Sequence, residues 1–169
     1  MKRNVAYMGI FLALALLCSY IETLIPINFG IPGIKLGLTN IVIVIMLYCI
    51  GAKESILVSI MRVLLAGFMF GNAFSIIYSL AGGLLSFLVM FLIMKLPKLH
   101  CITVSTVGGI FHNIGQIAVA AIVVENINIF YYIPVLIVAG AVTGLLIGIL
   151  SQEMILRIGT RIKKQREDS

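Results

Sequence analysis

The apolar residues of this chain fall into six long blocks separated by short punctuation, and the block lengths set the expected fold class. Val5 to Ile25 is the first, about as long as a bilayer crossing requires. It follows Met-Lys-Arg-Asn without a small-residue cleavage site, so it reads as a retained helix and not as a signal peptide. Pro26, Gly30, Pro32 and Gly33 then break helix through residues 26–37. That stretch is apolar enough to pack back onto the bundle as an outer cap. Leu38 to Ile50 is a second, short block, and Gly51-Ala-Lys-Glu54 turns the chain into Ser55 to Phe70, which contains Arg62. Gly71-Asn72 punctuates before Ala73 to Met94, and Lys95-Leu-Pro-Lys-Leu-His100 forms a loop. Cys101 to Val124 carries His112, Asn113 and Gln116. Glu125-Asn-Ile-Asn128 leads into Tyr131 to Ser151, with Pro134 in the first turn, where a missing N–H is tolerated. The pattern predicts an all-α integral membrane protein. Residues 1–152 form a single bundle of six transmembrane helices, and residues 153–169 form a basic tail.

Composition sharpens this. Of the 169 residues, 62% are apolar and 11% are charged, against about 25% charged in a soluble domain. A mean hydropathy of +1.20 excludes a water-soluble globule, a disordered chain and a disulfide-stapled secreted module. Cys18, Cys49 and Cys101 make no C-x-x-C pair and read as small apolar packing residues.

The net charge of +6 raises the question of nucleic acid, and its placement answers it. Lys2, Arg3, Lys53, Lys95, Lys98, Arg157, Arg161, Lys163, Lys164 and Arg166 all fall on one side of a six-span topology; Lys35 alone falls on the other. None forms a basic stripe with interleaved aromatics. The bias is that of the positive-inside rule, so both termini are expected on the cytoplasmic side of the cell membrane, with no nucleic-acid partner.

An ionisable group inside a membrane is a functional candidate by default. Arg62 lies eight residues beyond Glu54, roughly 12 Å along its helix, and His112 eleven beyond Cys101, roughly 16 Å. The two therefore share a layer. Glu22 lies seventeen residues beyond Val5, about 25 Å up, which leaves a gap of about 13 Å to Arg62 and no carboxylate in the arginine's own layer. Ser55, Ser59, Arg62 and Ala66 are spaced 4-3-4, as are Ser75, Ser79, Gly82 and Ser86, and Ser105, Gly109, His112 and Gln116. Such stripes lie on one helix face. Their Ser and Gly members suit packing seams, whereas a seam has no use for a guanidinium. His112, with Asn113 and Gln116 beside it, suits either a polar cavity or a satisfied core position. The expected substrate-binding set is Arg62, His112, Asn113, Gln116, Asn40, Glu22 and Ser79, in a cavity opening outward. Gly140, Gly144 and Gly148, and Gly9 with Ala13, predict close helix contacts, within the chain or with another subunit.

Several activities lack their residues. No G-x-x-x-x-G-K-[ST] is present, so no P-loop ATPase is expected. Asp168 is the sole aspartate, so no carboxylate cluster can hold Mg²⁺ for diphosphate chemistry. No catalytic residue, metal or cofactor is expected, and the chain is not read as an enzyme.

Ile31-Pro-Gly-Ile-Lys-Leu-Gly-Leu-Thr-Asn40, Arg62-Val-Leu-Leu-Ala-Gly67, Tyr78-Ser-Leu-Ala-Gly-Gly83 and Gly108-Gly-Ile-Phe-His-Asn-Ile-Gly-Gln116 together carry a resemblance over nearly the whole transmembrane part. The chain resembles the bacterial family labelled heptaprenyl diphosphate synthase component I, also called the Gx transporter family. That family in turn is similar to the S components of energy-coupling factor (ECF) vitamin transporters. The resemblance implies a membrane-embedded subunit that binds a small organic molecule of the vitamin, flavin or quinone/isoprenoid-precursor class. Uptake would be energised by a T component and separate ATPase subunits. It also implies a T-component contact at an A-x-x-x-A pair on the first helix, for which Gly9-Ile-Phe-Leu-Ala13 is the nearest match. The alternatives are a non-catalytic membrane component of an isoprenoid or quinone pathway, and a small structural or pore-forming bundle.

Overall fold

A computed structural model describes residues 2–24, 37–97 and 99–167. Within them the chain is all-helical: α1 (Lys2–Leu24), α2 (Asn40–Cys49), α3 (Ala52–Phe70), α4 (Ala73–Met94), α5 (Cys101–Val124), a 3-10 helix (Ile127–Tyr132) and α6 (Ile133–Glu167). The expected outer cap over 26–37 lies outside the described residues except for Gly37, as does Lys35.

Six α-helices are present among the described residues, where six transmembrane helices are expected. Four segments are long and apolar enough to cross a membrane: Val5–Leu24, Ala73–Met94, Cys101–Val124 and Asn128–Arg157. The other two helices fall short for different reasons. The 10 residues of α2 rise only about 15 Å, half of the roughly 30 Å hydrocarbon layer. The 19 residues of α3 carry Lys53, Glu54 and Arg62. The last helix is longer than the block that predicts it, because α6 runs unbroken from Ile133 to Glu167 through the residue 152 boundary.

The shortest of the α-helices is the central one. Helices α1, α3, α4, α5 and α6 neighbour one another in that order, and α2 packs against α1, α3, α5 and α6 from within. Asn40 and Val42 to Leu47 are all buried. A helix apolar on every side belongs inside other protein, and Asn40-Ile-Val-Ile-Val-Ile-Met-Leu-Tyr-Cys49 is such a helix. Two glycines with positive φ bracket it, Gly37 at 80° and Gly51 at 145°, backbone angles that side-chain-bearing residues rarely adopt. The larger apolar cluster surrounds α2, drawing in Ala15, Val58, Phe87, Met90, Cys101, Val104 and Ile147. A smaller one joins Tyr78, Ile117, Ala120, Ile129 and Leu136.

Tight seams hold α5 between its neighbours. Gly140, Gly144 and Gly148 all face α5, where a Cβ on Gly144 would stand 2.7 Å from the Ser105 carbonyl oxygen and one on Gly148 2.8 Å from Ile102 Cα. The Ser105 hydroxyl donates to the Gly144 carbonyl at 2.8 Å. The glycine run of α6 is thus spent inside the chain. On the other side, Gly115 of α5 lies against the Ala81 and Gly82 backbone. The α3–α4 connection is capped by Asn72, whose Oδ1 accepts from the Ser75 N–H at 2.8 Å, a standard N-cap contact.

Candidate functional site

Glu22, Ser19, Thr39, Asn40 and His112 gather at the N-terminal end of α2. Glu22, near the end of α1, fixes that end: its Oε1 accepts hydrogen bonds from the Gly37 and Leu38 N–H groups. One turn earlier, Ser19 and Thr39 share a hydrogen bond between their hydroxyls at 3.1 Å. Burying the start of a helix requires partners for its free N–H groups: those of Asn40, Ile41 and Val42 donate to the Gly37, Leu38 and Thr39 carbonyls, and Glu22 accepts from the turn just ahead of them. Its second oxygen, Oε2, is buried with no hydrogen-bond partner among the described residues.

His112 of α5 is held between two glycines. A Cβ on Gly37 would lie 3.1 Å from Asn40 Nδ2 and 3.3 Å from His112 Cδ2. On the far side, a Cβ on Gly82 of α4 would lie 2.6 Å from the His112 carbonyl oxygen, 2.7 Å from Gln116 Cγ and 3.3 Å from His112 Cε1. The missing side chains let the imidazole occupy the gap between the α2 turn and α4. Gln116 stands one turn further along α5, wholly buried, and neither atom of its amide has a partner among the described residues.

Arg62 projects from the Ser55–Ser59–Arg62–Ala66 face of α3 and is 3% exposed. Its Nε and Nη2 are buried with no hydrogen-bond partner among the described residues. The axial count puts no carboxylate near this arginine. The structure agrees to the extent that no ion pair closes between Arg62 and Glu22, although Glu22 and Cys18 of α1 act electrostatically on the guanidinium. Helices α1 and α3 pack directly together, and an arginine carries its charge well away from its backbone along a flexible stem.

All seven expected substrate-binding residues are buried. Glu22, Asn40, His112 and Gln116 are joined through Gly37 and Gly82, while Arg62 stands on α3, which packs against α1, α2 and α4. Ser79 lies on the Gly82 face of α4, one turn away. Asn113 is set apart: its Nδ2 donates to the Leu136 carbonyl at 2.8 Å, so its amide lies in the α5–α6 seam. Gly9 and Ala13 are exposed on α1, and a Cβ on Gly9 would meet nothing within 4 Å. Sequence reasoning does not single out Ser19, Thr39, Gly37 and Gly82 as parts of the site. The available signal is the i, i+3 spacing of Ser19 and Glu22 and the paired glycines flanking the His112 layer.

Chemically, the layer offers donors from Arg62 and Gln116 and acceptors from Glu22 and Gln116, all withdrawn from solvent. Such groups recognise a polar molecule strongly because leaving them unpaired is expensive. Among the described residues no three His, Cys, Asp or Glu side chains come together as metal ligands.

No curated protein and no solved structure matches the chain. The sequence profile of the family described as heptaprenyl diphosphate synthase component I matches residues 11–154, a range that contains every residue of the polar layer. The chain belongs to the heptaprenyl diphosphate synthase component I family.

Proposed function

We propose that this chain is a membrane-embedded, non-catalytic binding subunit for a small organic molecule, acting with separate subunits. The observation that carries the reading is Arg62: a guanidinium 3% exposed, with two N–H positions unpartnered among the described residues. In this reading it shares one polar layer with Glu22, His112 and Gln116, which are buried as it is. A packing seam gains nothing from such a group, and an intramembrane ionisable residue marks a substrate or ion path by default. Uptake of a vitamin, flavin or quinone/isoprenoid precursor is the form of this function we favour. The T component and ATPases of an ECF module would supply the energy, with Gly9 and Ala13 on the exposed face of α1 as the contact. In this arrangement both termini and the basic tail face the cytoplasm.

The family's description favours a second reading, a non-catalytic membrane component of heptaprenyl diphosphate synthesis. Purification from native membranes in mild detergent, followed by mass spectrometry of bound small molecules and of associated proteins, separates the two. A near-stoichiometric small molecule together with ATPase subunits supports uptake. Association with a soluble prenyltransferase, and no small molecule, supports the pathway component. ATP hydrolysis or prenyl elongation by the isolated chain refutes both.

A further inference from the structure

We infer that the molecule bound in the Arg62–His112–Gln116 layer has no net charge and presents both carbonyl-type acceptors and N–H or O–H donors, as amides, imides, lactams and hydroxy-carbonyl compounds do. This rests on the binding-subunit reading above and narrows it to a ligand class.

The first ground is charge. Among the described residues the buried acidic and basic side chains of the bundle are Glu22 and Arg62, with His112 as the buried imidazole. Glu22 and Arg62 sum to zero, and a neutral imidazole adds nothing. Glu22 acts electrostatically on the guanidinium without closing an ion pair with it, so the two opposite charges are both present in the bundle. A diphosphate or carboxylate placed here would bring uncompensated negative charge into a medium that solvates ions poorly, and would set it beside Glu22.

The second ground is the inventory of hydrogen-bonding atoms that are buried and unpartnered among the described residues. On the donor side are Arg62 Nε, Arg62 Nη2 and Gln116 Nε2; on the acceptor side are Glu22 Oε2 and Gln116 Oε1. A phosphate or carboxylate offers acceptors only. It would satisfy Arg62 and leave Glu22 Oε2 and Gln116 Oε1 unmet, and an unmet buried acceptor weakens binding. A molecule with both kinds of group along one edge satisfies both sets. The two sets also stand on different helices, with Arg62 on α3, Glu22 on α1 and Gln116 on α5. The ligand would therefore bridge the bundle above α2 instead of docking on one helix.

The test uses the full-length protein purified in mild detergent from the cells that make it, alongside Arg62→Met. The bound small molecule is released with organic solvent, quantified per chain, and run on anion and cation exchangers at neutral pH before mass spectrometry. The expected result is one compound near one per chain, retained by neither exchanger, and reduced about tenfold or more in Arg62→Met, the loss that follows from one charge-assisted hydrogen bond. Inorganic diphosphate, added as a probe, leaves it in place. A compound held by either exchanger, yet still lost in Arg62→Met, overturns this inference and leaves the binding-subunit reading standing, as does displacement by inorganic diphosphate. A compound bound equally by Arg62→Met overturns the site and the inference together. No compound on folded wild-type protein overturns the binding-subunit reading itself.

Discussion

Replacing Gly109 with alanine adds one methyl group at the point where α5 and α6 touch backbone to backbone. The new Cβ would press on the Gly140 carbonyl oxygen and lie 3.0 Å from Gly144 Cα and 3.2 Å from Gly144 N. All three are main-chain atoms, so none can rotate away, and the helices must separate. Separation strains the Ser105–Gly144 and Asn113–Leu136 hydrogen bonds, each 2.8 Å long. Overpacking of this kind costs about 1–3 kcal/mol, and two weakened interhelical hydrogen bonds add about 1 kcal/mol in a membrane protein. Alanine returns about 1 kcal/mol through its better helix propensity. The net expectation is a loss of about 1–3 kcal/mol, read as a lower midpoint for thermal unfolding in detergent. Gly9→Ala is the internal control, since nothing lies within 4 Å of its added Cβ. It should be neutral or stabilising by up to about 1 kcal/mol. If Gly109→Ala unfolds at the same temperature as Gly9→Ala, the α5–α6 seam is looser than described and the glycine run of α6 serves some other contact.

Four further expectations follow from the same geometry. Arg62→Met should weaken binding of the copurified molecule roughly 10- to 150-fold, the equivalent of about 1.5–3 kcal/mol; His112→Ala should do so less, and titration of both purified variants checks the order. Glu22→Gln and Arg62→Gln should each lower stability by stranding the other's charge. The double variant should lose less than their sum by about 0.5–3 kcal/mol, and strict additivity would show that the two do not interact. In intact cells an impermeant thiol reagent should label Glu125→Cys but not Lys95→Cys, on a background lacking Cys18, Cys49 and Cys101; the reverse pattern inverts the proposed topology. Gly9→Leu or Ala13→Leu should reduce recovery of partner subunits while leaving the small-molecule content of the purified chain unchanged.

The class of protein and the roster of unusual residues are legible in the sequence. Matching an apolar stretch to a bilayer depends on length and side-chain hydrophobicity, both properties of a chain segment by itself. The spans at 5–24, 73–94 and 101–124 follow from that match, and so does the burial of Arg62, His112 and Gln116. The serine and glycine stripes likewise mark the faces that pack, because spacing along a helix maps directly onto direction around it.

Which faces meet is a property of pairs of helices, and no single segment contains it. Asn113 and Gln116 are three residues apart on α5, yet Asn113 turns to Leu136 on α6 while Gln116 lies against Gly82 on α4. The glycine run of α6 could have served another subunit until Gly109 was found opposite Gly140 and Gly144. The short second block proves to be the centre of the bundle, a position set by four neighbours and not by its own ten residues. Hydrophobicity selects the helix and its suitability for a bilayer one segment at a time; the grouping of Glu22, Asn40, His112 and Gln116 through Gly37 and Gly82 exists only once separate helices are packed together.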